Sequence, residues 1–166
     1  ADRLEEALAA RRAVVERAPS ARAWSLLAVT LRSLGRHAEA IEAAEAGLAL
    51  APGDAELVMQ RAMARLALGD YAGGFEDYAR RWEIGEIARP TALPPDWEGE
   101  DPTGLRVAVA PEQGHGDTLL MARFLPGLRA LPWREVVLVV KPPLARLFQG
   151  IAGADRVILE IGRAHV

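Results

Sequence analysis

Residues 21–54 read ARAWSLLAVTLRSLGRHAEAIEAAEAGLALAPGD, and residues 55–83, directly after them, read AELVMQRAMARLALGDYAGGFEDYARRWE. Laid one under the other, they pair Ala28 with Ala62, Leu34 with Leu68, Gly35 with Gly69, Ile41 with Phe75 and Leu48 with Trp82, each pair 34 residues apart. A fixed period of this length marks stacked helical units, none of which can bury its apolar face alone. Small Ala28 and Ala62 let the two helices of a hairpin approach closely, and Gly35 and Gly69 end the first helix where the backbone turns to positive φ. Pro52 stops the second helix, and Gly53-Asp54 open the next unit. Residues 4–18, closed by Pro19, read as the second helix of an earlier unit. Residues 1–85 are therefore expected to hold half a repeat, one full repeat and a last one ending near Glu83.

Residues 21–54 carry Trp24, Leu27, Ala28, Gly35, Ala40, Ala44 and Pro52 at spacings that resemble the tetratricopeptide family. The next unit departs from that pattern: Val58 stands in the place of Trp24 and Gly74 in that of Ala40. Gly73-Gly74 inside a helix costs on the order of 1 kcal/mol per residue relative to alanine, which fits an atypical terminal repeat. Such an array either grips a peptide on a concave surface or serves as a scaffold and positioning arm. The peptide reading assigns the groove to the first-helix positions Ser25, Val29, Arg32, Met59, Met63 and Leu66. A clamp for a C-terminal carboxylate needs asparagines and lysines, and the chain has no Asn and only Lys141.

From Ile84 the period breaks, and the prolines at 90, 94, 95 and 102 mark residues 86–104 as a linker between domains. Trp97 within it either plugs the seam between domains or stacks on a ligand. Beyond it, Leu105 to Ala110 is a β-branched run, Pro111 to Asp117 a glycine-bearing loop, and Thr118 to about Leu131 a helical stretch. Val136 to Lys141 reads as a second, fully apolar strand, Leu144 to Gly150 as a short helix and Arg156 to Leu159 as the start of a third strand. This alternation implies a parallel sheet. The fold class is thus helical hairpins followed by an incomplete Rossmann-like, three-layer α/β lobe over residues 105–160.

The loop after the first strand is where open α/β sheets place ligands. Gly114 and Gly116 let the backbone approach a ligand, and the helix start beyond them presents N–H groups. Asp117 is placed either to cap that helix or to act on a substrate. Gly-His-Gly-Asp does not satisfy the dinucleotide fingerprint. Glu112 and Gln113 either contact substrate or hold the loop's shape. His115 either orients a phosphate or hydroxyl or is an exposed loop residue, and Arg123 reads most simply as an ion-pair residue.

Trp97-Glu98-Gly99, Glu112-Gln113-Gly114-His115-Gly116-Asp117-Thr118, Ala122-Arg123-Phe124-Leu125-Pro126 and Pro143-Leu144-Ala145-Arg146-Leu147 together resemble the glycosyltransferase-like domain that follows tetratricopeptide repeats in many bacterial proteins. That domain is similar to the heptosyltransferases and has two-lobed GT-B architecture. The resemblance implies a metal-independent, inverting transfer of a hexosyl or heptosyl group from a nucleotide-sugar, with no further cofactor. It implies Asp117 as general base for the acceptor hydroxyl; Glu112, Gln113, Gly114, His115, Gly116 and Thr118 of the same loop are the candidate substrate contacts. The nucleotide-sugar would be held mainly by a second lobe, so residues 1–160 are expected to be inactive by themselves. The alternatives are a non-catalytic interaction scaffold with a degenerate α/β domain and a nucleotide-binding regulator.

Bulk composition narrows the classes further. With 51% hydrophobic and 26% charged residues the chain is globular in type, and a net charge of −3 with both signs interspersed argues against nucleic acid as partner. The absence of cysteine removes disulfides, thiolate metal sites and cysteine nucleophiles, which accords with a cytoplasmic setting. No apolar run approaches the ~20 residues of a membrane span. The expected partner is a protein or glycan acceptor held by the repeats. Ala1 in place of Met suggests that an upstream portion is missing. Residues 161–166 read as one frame of a sequencing-adaptor oligonucleotide and are expected to be a non-native tail, so that the protein continues past Glu160 in another sequence and His165 carries no function.

Overall fold

The computed structural model describes residues 2–84, 95–112 and 114–160. The chain divides into two compact units, Ala1–Arg89 and Pro90–Val166.

The first unit is a row of helices: α1 (Asp2–Arg17), α2 (Ala21–Ser33), α3 (His37–Leu50), α4 (Ala55–Ala67) and α5 (Tyr71–Tyr78), closed by a 3-10 turn at Ala79–Glu83. Their starts are set by short polar side chains. Ser20 Oγ accepts from the Ala23 N–H at 3.2 Å, Asp54 Oδ1 from Leu57 at 3.0 Å and Asp70 Oδ1 from Gly73 at 3.1 Å. Their ends repeat the same geometry 34 residues apart. Gly35 (φ 75°) and Gly69 (φ 85°) are left-handed, and the Arg36 N–H reaches back to Leu31 O at 2.9 Å as Asp70 does to Arg65 O at 3.0 Å.

Alanines make the close packing possible: Ala28, Ala40, Ala44 and Ala62 are all fully buried. One core runs from Leu8 and Val15 of α1 through Leu27 and Leu31 of α2 to Leu57 and Ala64 of α4. Gly47 sits where three helices converge, since a Cβ there would stand 2.8 Å from Trp24 Cβ and 2.7 Å from Leu57 Cδ2. Gly74, the departure from the repeat pattern, has a similar reason, because a Cβ on it would lie 2.7 Å from Leu66 Cγ and Cδ2. The larger Leu66 takes the space that the glycine leaves.

The second unit is a three-stranded parallel sheet in the order β1 (Arg106–Val109), β2 (Glu135–Val140), β3 (Arg156–Leu159). The register pairs Val109 with Leu138 and Leu138 with Val157. The first crossover contains α6 (His115–Met121), a 3-10 turn at Ala122–Phe124 and α7 (Leu125–Arg129), instead of the single helix expected from Thr118 to Leu131. Pro126 is the cause: it has no N–H for Ala122 O, and its ring excludes that carbonyl, so the chain tightens through the 3-10 turn and restarts with proline in the first turn of α7.

The expected helix at 144–150 is a 3-10 turn at Pro142–Leu144 followed by successive turns, with Leu147 and Phe148 both bonding back to Leu144 O. Leu125 from the first crossover and Leu144 and Phe148 from the second join Leu138 and Val140 in one core, so both crossovers cover the same face of the sheet. On the other face, Ala108 and Ile158 are exposed, Val137 is half-buried and Val139 is buried. None of the described helices in the chain is long and apolar enough to cross a membrane.

Candidate functional site

Beyond Val109, β1 hands the chain to the loop that the sequence singles out. Helix α6 begins earlier than expected, with Gly114 as its N-cap and His115 as its first residue. Asp117 is therefore not the N-cap but the third residue of the helix, and its Oδ2 reaches back to accept from the Gly114 N–H at 3.1 Å. Thr118 Oγ1 donates to Gly114 O at 3.1 Å, and the Thr118 N–H donates to the same oxygen at 3.2 Å. The two side chains thus close the loop onto Gly114 from both sides.

Among the described residues no hydrogen bond engages Asp117 Oδ1. Gly114, His115, Gly116 and Asp117 are exposed, while Glu112 and Thr118 are half-buried. Gln113 lies outside the described residues. Arg123 stacks over the Phe124 ring at 4.7 Å. Among the described residues, no group of three or more His, Asp or Glu side chains converges to hold a metal ion.

A groove of about 600 Å³ runs along β1, lined by Arg106 to Val109, by Asp96 and Glu100, and by Trp97 and Trp133. The two indole rings meet edge to face at 5.1 Å, and Trp97 Nε1 donates to Glu100 O at 2.8 Å, so Trp97 packs inside the second unit. The residues of the 112–118 loop are not part of that lining. Below the sheet, Asp155 accepts from the Val136 N–H at 2.7 Å and from Arg129 Nε at 3.2 Å. The bond from Val136 holds its carboxyl below the usual range, with the charge of Arg129 acting in the same direction and desolvation opposing both.

In the repeats, the candidate groove positions separate. Ser25 is 5% exposed, and Leu66 packs under α5 at Gly74. Val29, Arg32 and Met59 are half-buried, and Met63 is 37% exposed. Arg32 Nε donates to Gln60 Oε1 at 3.2 Å, tying α2 to α4.

Among the described residues, the most buried charge lies elsewhere. Asp77, 7% exposed, takes a two-pronged contact from Arg61 at 2.8 and 2.7 Å and a third bond from Arg65 at 3.0 Å. Its carboxylate is the largest cause raising the pKa of Arg61 above its ordinary value. Arg61 and Arg65 are four apart on one helix face, a legible spacing, but their shared partner is on the next helix and no local pattern points to it.

No curated protein sequence matches the chain. The span from α2 through the body of α4, residues 21–64, matches the family model of the tetratricopeptide repeat.

Proposed function

We propose that this chain is the repeat arm and acceptor-side lobe of a bacterial glycosyltransferase of GT-B type, in which a Rossmann-like sheet carries Asp117 as general base and the repeats hold a protein or glycan acceptor. The observation that carries the reading is the pose of Asp117 beyond the carboxyl end of β1. One carboxylate oxygen is held by the Gly114 N–H, and the other has no hydrogen bond among the described residues. A carboxylate fixed in this way can take a proton through Oδ1 without losing its orientation.

In the reaction, the acceptor hydroxyl oxygen attacks the anomeric carbon as its proton passes to Asp117. The bond from that carbon to the nucleoside diphosphate breaks, and the electron pair leaves with the phosphate. The repeats supply protein binding, which the family match supports for residues 21–64.

Asp117→Asn is the informative substitution, because the amide oxygen still accepts from Gly114 and preserves the loop. In the full open reading frame containing this chain, assayed for hydrolysis and transfer over a panel of nucleotide-sugars, Asp117→Asn is expected to lower kcat at least 100-fold with donor binding retained. A well-folded protein that binds no donor would instead establish the second reading, a non-catalytic interaction scaffold. That reading draws on the exposure of residues 114–117, which lie open on the surface.

A further inference from the structure

The last repeat ends in an apolar stripe. Leu68 is 57% exposed, Tyr71 65% and Phe75 58%, at a spacing that puts them along one side of α5 and its entry turn. The same positions one repeat earlier are Leu34, His37 and Ile41, and all three are half-buried there. Leu34 and Ile41 pack against the core to which α4 contributes Leu57 and Ala64, and α3 lies against α4. The molecule thus displays the same seat twice, once occupied by an amphipathic helix and once open.

We infer that the Leu68–Tyr71–Phe75 stripe is a docking seat for a single amphipathic α-helix of a partner protein, laid on α5 as α4 is laid on α3. Residues 84–102 do not read as this helix: prolines at 90, 94, 95 and 102 leave no proline-free run longer than six residues between Ile84 and Pro102, against 13 residues in α4. A second copy fits poorly. The three side chains expose roughly 350 Å², taking ~200 Å² for each whole side chain, whereas a stable dimer buries about 800 Å² per partner.

The seat is not a plain continuation of the repeat. Where α4 places Leu57 against Gly47, the open seat has Arg81, stacked over the rings of Tyr78 at 5.0 Å and Trp82 at 4.3 Å. The partner helix therefore carries a short side chain at that point and larger apolar ones further along, in the helix-in-groove mode of recognition. None of this depends on chemistry at Asp117.

The test uses the whole 166-residue chain and, as probe, a fluorescein-labelled, end-capped peptide of residues 54–67 carrying Leu57→Ala. Fluorescence anisotropy is expected to give saturable binding that Phe75→Glu and Tyr71→Lys each weaken at least ~10-fold, while Val14→Glu, at an exposed position of α1, leaves it within ~2-fold. Both seat residues are exposed, so circular dichroism and melting should match the parent; if one variant melts early, the other decides. Binding absent, or insensitive to Phe75→Glu and Tyr71→Lys, would overturn the inference. So would binding lost in Val14→Glu alone, or a concentration-dependent dimer abolished by Phe75→Glu, which would assign the stripe to a second copy.

Discussion

Asp77 shows how much a single residue can decide in a small helical array. It is an acid held between Arg61 and Arg65 at the junction of α4 and α5, with its side chain 9% exposed and theirs 23% and 25%. Removing the carboxylate leaves two guanidinium groups half out of water with their main partner gone. Asp77→Ala is expected to destabilise the protein by about 2–3 kcal/mol, discounted from the fully buried case because the arginines retain some solvent. Asp77→Asn should cost less, since its amide oxygen still accepts. Urea unfolding of the three proteins checks both values. Gly47 is a steric counterpart. Gly47→Val drives methyl groups into Trp24 and Leu57, and about 2 kcal/mol of destabilisation is expected by the same measurement. Neither role is visible in one dimension, because Asp77 meets partners from another helix and Gly47 is hemmed in by residues 23 positions before it and 10 after it.

Among the elements, the second unit depends on how its strands begin. Asp155 stands one residue before β3, and its carboxylate bonds to the Val136 N–H of β2 and to Arg129 at the end of α7, so one side chain gathers three elements. Because the folded-state pKa of Asp155 lies below its unfolded value, the unfolded state binds more protons between the two. The stabilisation is therefore fully present above the unfolded value of about 3.9 and fades as pH falls through the folded one. Thermal melts of the parent and Asp155→Asn are expected to differ at pH 7 and to converge as the pH falls through the folded-state value. The alternation of strands and helices in this unit was legible from apolar runs and glycine turns. The length of the first crossover helix was not, because an apolar period continues through Leu125-Pro126-Gly127-Leu128 while the backbone hydrogen bonds cannot. The start of α6 is not legible for a related reason: aspartate is favoured both at the N-cap and in the first turn, and only the bond to Gly114 separates the two.

Over the whole molecule, burial is uneven. α2 to α4 hold most of the alanine-lined core, whereas α6 has no buried residue. Local opening follows such differences. Amide hydrogen exchange followed by mass spectrometry is expected to be slowest in α2–α4 and β2 and fastest in α6; protection of α6 equal to that of α3 would contradict this ordering.

The sequence by itself determined the 34-residue pitch, the glycine helix ends, the tetratricopeptide pattern of residues 21–64 and the parallel pairing of the strands, because each rests on local stereochemistry or on periodicity along one chain. Only the tertiary structure decided that Asp117 is tethered to Gly114, that Ser25 is sealed in while Phe75 is left open, and that both crossovers lie on one face of the sheet. Those features depend on which distant surfaces meet, and a packing contact between residues far apart in the chain leaves no trace in the local pattern of either.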